Sequence, residues 1–169
     1  KEFDYVVCAS LPAAKWIANK EPEADRANMR ALVEHMKTIS CGLFVLISTV
    51  DVLPDVAAGY SEGQTADIRP EDAPHPYGKH RLEFEHEMQR LRDEGRFERL
   101  LILRLPALFG RGLKKNIVFD LIYNNNVDRI NADTAFQWYD CNRLAQDIDV
   151  CLNSGQSGVV HIAPEPLHT

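Results

Sequence analysis

Residues 43–49 read LFVLIST, residues 76–83 read PYGKHRLE and residues 100–110 read LLILRLPALFG. Two nearly continuous apolar runs of strand length flank a long segment that opens on proline, and this arrangement decides the fold. An apolar run without alternation suits a strand covered on both faces, as in a parallel sheet. Proline suits the first position of a helix, where its missing N–H is not needed. The pattern predicts strands over residues 43–48 and 100–105, and between them a helix over residues 76–94. On that helix Leu82, Phe84, Met88 and Leu91 form one loose apolar face.

Outward from this centre, residues 3–9 (FDYVVCA) predict a further buried strand. Residues 25–39 carry Met29, Leu32, Val33, Met36 and Ile39 at helical spacing, an amphipathic helix closed by Gly42. Residues 53–75, rich in Pro, Gly, Asp and Glu, predict a surface loop. Residues 118–123 and 143–152 predict two more helices, the second capped by Asn142, and residues 159–163 (VVHIA) a short strand. Strands alternating with helices imply an α/β fold, an open parallel sheet with helices on both faces. Such a sheet binds ligands at the carboxyl ends of its strands. Here those ends are Ala9-Ser10, Ser48-Thr49 and Leu105-Pro106.

A chain of 169 residues with 45% hydrophobic content predicts one domain over residues 1–169. Its net charge of −6 disfavours nucleic acid as a partner. Cys8, Cys41, Cys141 and Cys151 lack CxxC spacing and predict reduced thiols, hence a cytoplasmic protein. No apolar stretch reaches the roughly 20 residues that cross a bilayer, so neither membrane insertion nor secretion is expected. The six histidines show no zinc spacing, and no metal is expected. Asp140 and Asp147 form no evident carboxylate dyad, and the GxSxG elbow of hydrolases is missing.

The order of the remaining motifs resembles the extended short-chain dehydrogenases/reductases, the NAD(P)-dependent sugar-nucleotide epimerases, dehydratases and reductases. That group carries a Ser/Thr after one strand, YxxxK on the next long helix and R-x-x-x-x-[YF]-G after the following strand. Here these are Ser48-Thr49, Tyr77 to Arg81, and Arg104 to Gly110. Glu71-Asp72-Ala73-Pro74 before Tyr77, Asn28 and the segment 157–162 also look like family segments. The resemblance covers nearly the whole chain. It implies an incomplete Rossmann-like sheet with remnants of a small substrate region, which residues 110–140 partly resemble.

The resemblance further implies Thr49, Tyr77 and Arg81 as the catalytic set, with Thr49 binding the substrate oxygen and Tyr77 as general acid/base. Residues four apart share a helix face, so Tyr77 and Arg81 can reach one site. A cation one turn away favours the phenolate. Arginine stands where the family has lysine, and its planar fork is bulkier and differently directed than an ammonium. His80, three along, is a less favoured partner for Tyr77, and Lys79 faces away.

Ala9, Ser10, Asn28, Tyr77, Arg81, Leu105, Pro106 and Leu108 resemble the cofactor-side residues for NAD or NADP, Asn28 as support for the catalytic cation through water. Ser10, Thr49, Lys114 and Lys115 resemble a substrate side suited to a nucleotide-sugar diphosphate. Lys15 and Trp16, in the loop after the first strand, either cover the site or pack the loop. No GxxGxxG occurs. The first strand resembles the family's fourth, so a fragment of a longer enzyme, or a reduced protein, is expected. The residues 165–169 look like the lead into a further helix. Family dimers imply a homodimer through the helices starting at Asp25 and Pro76. The alternative is a non-catalytic member acting as scaffold, oligomer partner or dinucleotide sensor.

Overall fold

The structure, a computed structural model, describes residues 1–113 and 116–168. These cluster into two compact units, residues 1–104 with 157–161 and residues 105–156 with 162–169. Within the expected domain of residues 1–169, the boundary between these units falls at the end of the third strand.

In the first unit, β1 (Glu2–Cys8), β2 (Ser40–Thr49), β3 (Phe97–Leu105) and β6 (Gly158–His161) form a sheet in the order β1-β2-β3-β6. β1 runs parallel to β2 with Val7 opposite Val45, and β3 runs parallel to β6 with Ile102 opposite Val159. The helices of this unit are α1 (Lys15–Lys20), α2 (Pro22–Met36) and α3 (Pro76–Asp93). Met29, Val33 and Met36 of α2 and Phe84, Met88 and Leu91 of α3 bury against Phe44, Leu46, Leu100 and Ile102 of the sheet. The Phe44 and Phe97 rings stack at 4.3 Å between centroids. Val45, Leu101 and Leu103 point to the opposite side and are also fully buried. Burial on both sides is why β2 and β3 read as unbroken apolar runs.

Four expectations change. β1 is not a buried strand: Phe3, Tyr5 and Val7 remain exposed and only Cys8 is buried, because among the described residues β1 pairs with β2 alone and forms the sheet edge. Gly42 does not close the second helix. α2 stops at Met36, where the Lys37 N–H bonds the Val33 carbonyl, and Gly42 lies within β2. The stretch after β1 is not all loop, since Lys15 and Trp16 open α1, where Trp16 stays 70% exposed. The segment over residues 53–75 is built of short 3₁₀ turns at Val56–Ala58, Glu62–Thr65 and Pro70–Asp72.

In the second unit, β4 (Ala107–Phe109) pairs parallel with β5 (Ala135–Asp140), and β5 pairs antiparallel with β7 (Pro166–His168). The tail is therefore a strand, not the lead into a helix: Leu167 sits opposite Phe136, so backbone pairing across the chain determines its conformation. Helices α4 (Asn116–Tyr123) and α5 (Leu144–Asn153) complete this unit. Asp140, not Asn142, caps the turn that leads into α5, its Oδ1 accepting the Asn142 N–H at 2.9 Å. Asp147 accepts the Tyr139 hydroxyl at 2.8 Å; burial, followed by that bond, holds the phenol well above its usual range.

Candidate active site

At the carboxyl end of β2, Thr49 caps a 3₁₀ turn (Val50–Val52). Its Oγ1 accepts the Asp51 N–H at 3.1 Å and donates to Asp51 Oδ2 at 3.2 Å. Asp51 Oδ1 receives Lys15 Nζ at 2.7 Å and lies 3.8 Å from His75 Nε2. His75 caps α3, its Nδ1 accepting the Gly78 N–H at 3.1 Å. A ring nitrogen that accepts carries no proton, so neutral His75 presents an Nε2–H toward Asp51.

The first turn of α3 is stitched to its surroundings. The Tyr77 N–H donates to Asn19 Oδ1 of α1 at 2.9 Å. Gly78 lies so close to the turn after β2 that a Cβ there would fall 2.0 Å from the Asp51 carbonyl oxygen. Only glycine permits that approach, which draws the Thr49 turn against the helix start that carries Tyr77.

Tyr77 is 8% exposed, and the Arg81 guanidinium lies over its ring with Cζ 4.2 Å from the centroid. A cation in that position is attracted by the ring face as well as by any charge on the oxygen. Arg81, 2% exposed, donates from Nη1 to Asp25 Oδ2 and from Nη2 to the Pro12 carbonyl. His80 Nδ1 meets the same Asp25 oxygen at 2.7 Å. Burial pushes the Tyr77 phenol above its ordinary value; Arg81 opposes this, while Asp51 and Asp25 reinforce it. The cation thus acts with the expected sign, but desolvation outweighs it. Asp25 is pushed up by burial, yet the bonds from Arg81 and His80 win and hold its carboxyl below the usual carboxylate range.

The Thr49 turn thus lies, through Asp51 and Gly78, against the first turn of the helix on which the Arg81 guanidinium covers the Tyr77 ring. His80 is committed to Asp25 rather than to Tyr77, and Lys79 pairs outward with Glu71 at 3.6 Å. Asn28 is exposed on α2; the group that binds Arg81 is Asp25, one turn earlier. Ala9 and Ser10 stand exposed beyond the end of β1. Leu105 and Pro106 are buried at the end of β3, and Leu108 is half-buried in β4, its carbonyl accepting the Asn116 side chain. Lys114 and Lys115 lie outside the described residues. Among the described residues no three His, Cys, Asp or Glu side chains gather as a metal site.

Two buried charges, Asp25 and Glu85, were given no role from the sequence, and a third, Arg104, entered there only as the first residue of the R-x-x-x-x-[YF]-G stretch. Each carried a signal. Asp25 falls in register with Met29, Val33 and Met36 on the buried stripe of α2, and a carboxylate there demands a cationic partner. Arg104 interrupts the apolar run of β3 for the same reason. It pairs with Glu85 of α3, Nη2 to Oε2 at 2.6 Å and Nε to Oε1 at 3.1 Å, while Ser48 Oγ donates to Glu85 Oε1 at 2.5 Å. Arg104 Nη1 donates to Thr65 Oγ1 at 3.0 Å and meets His161 Nε2 at 3.3 Å. Burial and then the Arg104 charge lower the proton affinity of His161, so this network is a buried tie between sheet and helix.

Several solved structures share this architecture. A UDP-N-acetylglucosamine 4-epimerase from Methanobrevibacter ruminantium superposes with a TM-score of 0.76 at 13% identity, covering 98% of this chain and 56% of that one. A UDP-glucose 4-epimerase from Thermus thermophilus, in complex with NAD, matches with a TM-score of 0.72 at 16% identity, covering 97% and 58%. A dTDP-glucose 4,6-dehydratase from Streptomyces venezuelae with NAD bound matches with a TM-score of 0.76 at 14% identity, covering 98% and 53%. The chain spans a little over half the length of each of these proteins. No curated protein sequence matches it, and no helix among the described residues is long and apolar enough to cross a membrane. The sequence pattern of the NAD dependent epimerase/dehydratase family matches residues 1–135, four-fifths of the chain, with the tyrosine helix and both flanking strands inside the match. The chain therefore belongs to the NAD dependent epimerase/dehydratase family.

Proposed function

We propose that the chain carries the proton-transfer side of an NAD-linked epimerase, dehydratase or reductase acting on a nucleotide sugar or a similar hydroxylated small molecule. The observation that supports this reading is the close approach of the Thr49 turn, at the carboxyl end of β2, to the start of the helix on which Arg81 lies over Tyr77. Thr49 Oγ1 is a donor and acceptor at the tip of a strand, suited to hold a substrate hydroxyl or carbonyl. Tyr77 is the general acid/base, exchanging a proton with that oxygen. The raised proton affinity of its phenol favours the protonated acid, the form that donates to a developing alkoxide. Arg81 supplies the fixed positive charge beside the ring.

The residues present fit the nicotinamide-ribose end of NAD or NADP by the chemistry of their donors: the exposed Ser10 hydroxyl, the Ala9 backbone and the Tyr77 phenol. When bound, the nicotinamide takes or returns the hydride. The glycine-rich cradle for a pyrophosphate is not among these residues.

NAD binding and turnover of a UDP- or dTDP-sugar, compared between the native protein and Tyr77→Phe, test the reading. The substitution is expected to lower turnover by about 10²–10⁴-fold while leaving cofactor binding in place. Turnover unchanged by Tyr77→Phe refutes the role of Tyr77. A second reading, a non-catalytic scaffold or dinucleotide sensor, is favoured by one observation: both terminal nitrogens of Arg81 are engaged inside the protein, by Asp25 and Pro12. That reading predicts no turnover in either form.

We also propose a homodimer through the exposed sides of α2 and α3. Between these helices runs a groove of about 810 Å³ with charges of both signs, Arg30 and Glu34 on α2 facing Glu83, Glu87 and Arg90 on α3. Mixed charge lets one patch meet its two-fold copy without net repulsion. Light scattering is expected to return twice the chain mass, and a monomer excludes the dimer.

A further inference from the structure

We infer that Asp25 is a positioning residue for Tyr77: by binding Arg81 and His80 at one carboxylate oxygen, it holds the guanidinium over the phenol ring and offsets its charge. The inference rests on the reading of Tyr77 as the acid/base group, and extends it to a residue on a different helix. Asp25 lies on the buried stripe of α2, 6% exposed, and reaches across to α3 at positions 80 and 81. The same guanidinium donates to the Pro12 carbonyl, so the cation that Asp25 holds also ties the stretch after β1 to the tyrosine helix.

The physical reason lies in what an unpaired arginine would do there. A lone guanidinium 4.2 Å from the ring would draw the phenol toward phenolate, the wrong form for a proton donor. A buried carboxylate bonded to the guanidinium opposes that pull while keeping the cation in place. The charged and titratable groups that face Tyr77 are Asp51 from the turn after β2, His75 at the helix cap, Arg81 on its own helix and Asp25 from α2. Lys15 of α1 reaches this set through Asp51, and His80 through Asp25. Asp25 is the only one of these that bonds both of the basic groups at positions 80 and 81. Removing its charge therefore changes the balance at Tyr77 in one direction, whichever protonation state His80 holds.

Titration of phenolate ultraviolet absorbance tests this without requiring turnover. The chain has five tyrosines, and subtracting the Tyr77→Phe curve isolates Tyr77. In Asp25→Asn, Tyr77 is expected to ionise at lower pH, with about tenfold more phenolate at a given pH below the midpoint. Asp25→Glu, which restores the charge, is expected to move the curve back toward the native one. The double variant Asp25→Asn/Arg81→Gln removes both charges together, and so keeps the test available if the single variant fails to fold. Its Tyr77 is expected to ionise no more readily than in the native protein, because the pull of Arg81 is lost together with the opposing carboxylate. An Asp25→Asn curve that overlays the native one overturns the inference, as does a double variant whose phenolate forms tenfold more readily than the native. A shifted curve in a protein without turnover upholds the role of Asp25 and removes only the enzymatic reading.

Discussion

Glu85→Ala is expected to destabilise the protein by about 3–5 kcal/mol, measured by chemical denaturation. Glu85 is fully buried and Arg104 is 2% exposed, so neither charge has water to fall back on. In the native protein the carboxylate takes three contacts from the guanidinium within 3.2 Å and one from the Ser48 hydroxyl. Among the described residues, alanine leaves the Arg104 cation with only the Thr65 hydroxyl and the His161 ring. An uncompensated buried charge costs far more than the pair contributed, because desolvation is no longer offset. Replacing both partners with apolar residues, as in Glu85→Leu/Arg104→Met, is therefore expected to recover most of the loss. A Glu85→Ala cost below about 1 kcal/mol, within the range of an exposed pair, refutes the account.

The second large effect is expected from Gly78→Ala. In an open helix interior this change stabilises by about 1 kcal/mol, since alanine is the better helix former. Here the added Cβ would meet the Asp51 carbonyl oxygen at 2.0 Å and its carbon at 3.0 Å. Both atoms are backbone, in a turn closed by the Thr49 and Asp51 hydrogen bonds, so they cannot swing aside as a side-chain end would. Relief requires the start of α3 to move away from the end of β2. Overpacking of this kind costs about 1–3 kcal/mol, so the sign reverses relative to an open site. The same displacement carries Tyr77 away from Thr49. Under the proposed function, turnover is expected to fall by about a hundredfold, as it does when a reacting group is misplaced by an ångström. Unfolding midpoints together with initial rates decide this: a Gly78→Ala protein as stable and active as the native one removes the claim of close approach.

The elements most legible in the sequence were those with a strong local period. β2, β3 and α3 lie within a few residues of where their patterns placed them, and α3 begins at the expected Pro76. Of the candidate site, the contact between Tyr77 and Arg81 was legible, because the two are one helical turn apart and their contact follows from the helix alone. The misread elements share a different cause. β1 has a buried strand's composition but, among the described residues, pairs with β2 alone and stays exposed, and composition does not say how many neighbours a strand has. β7 has no period of its own and is extended because β5 offers it hydrogen bonds.

By itself, then, the sequence determined the alternation of strands and helices, the family pattern and the pairing of a phenol with a cation on one helix face. These depend on residues a few positions apart, where backbone geometry sets the contact. Tertiary structure alone decided that Asp25 reaches Arg81 across 56 positions, that Glu85 finds Arg104 across 19, and that the Tyr77 phenol holds its proton more tightly than an exposed one despite the cation beside it. Those outcomes turn on burial and on charges from other elements. The free energy of a charge depends on the water that packing has removed and on the partner that packing has brought near, and neither is written in the local order of residues.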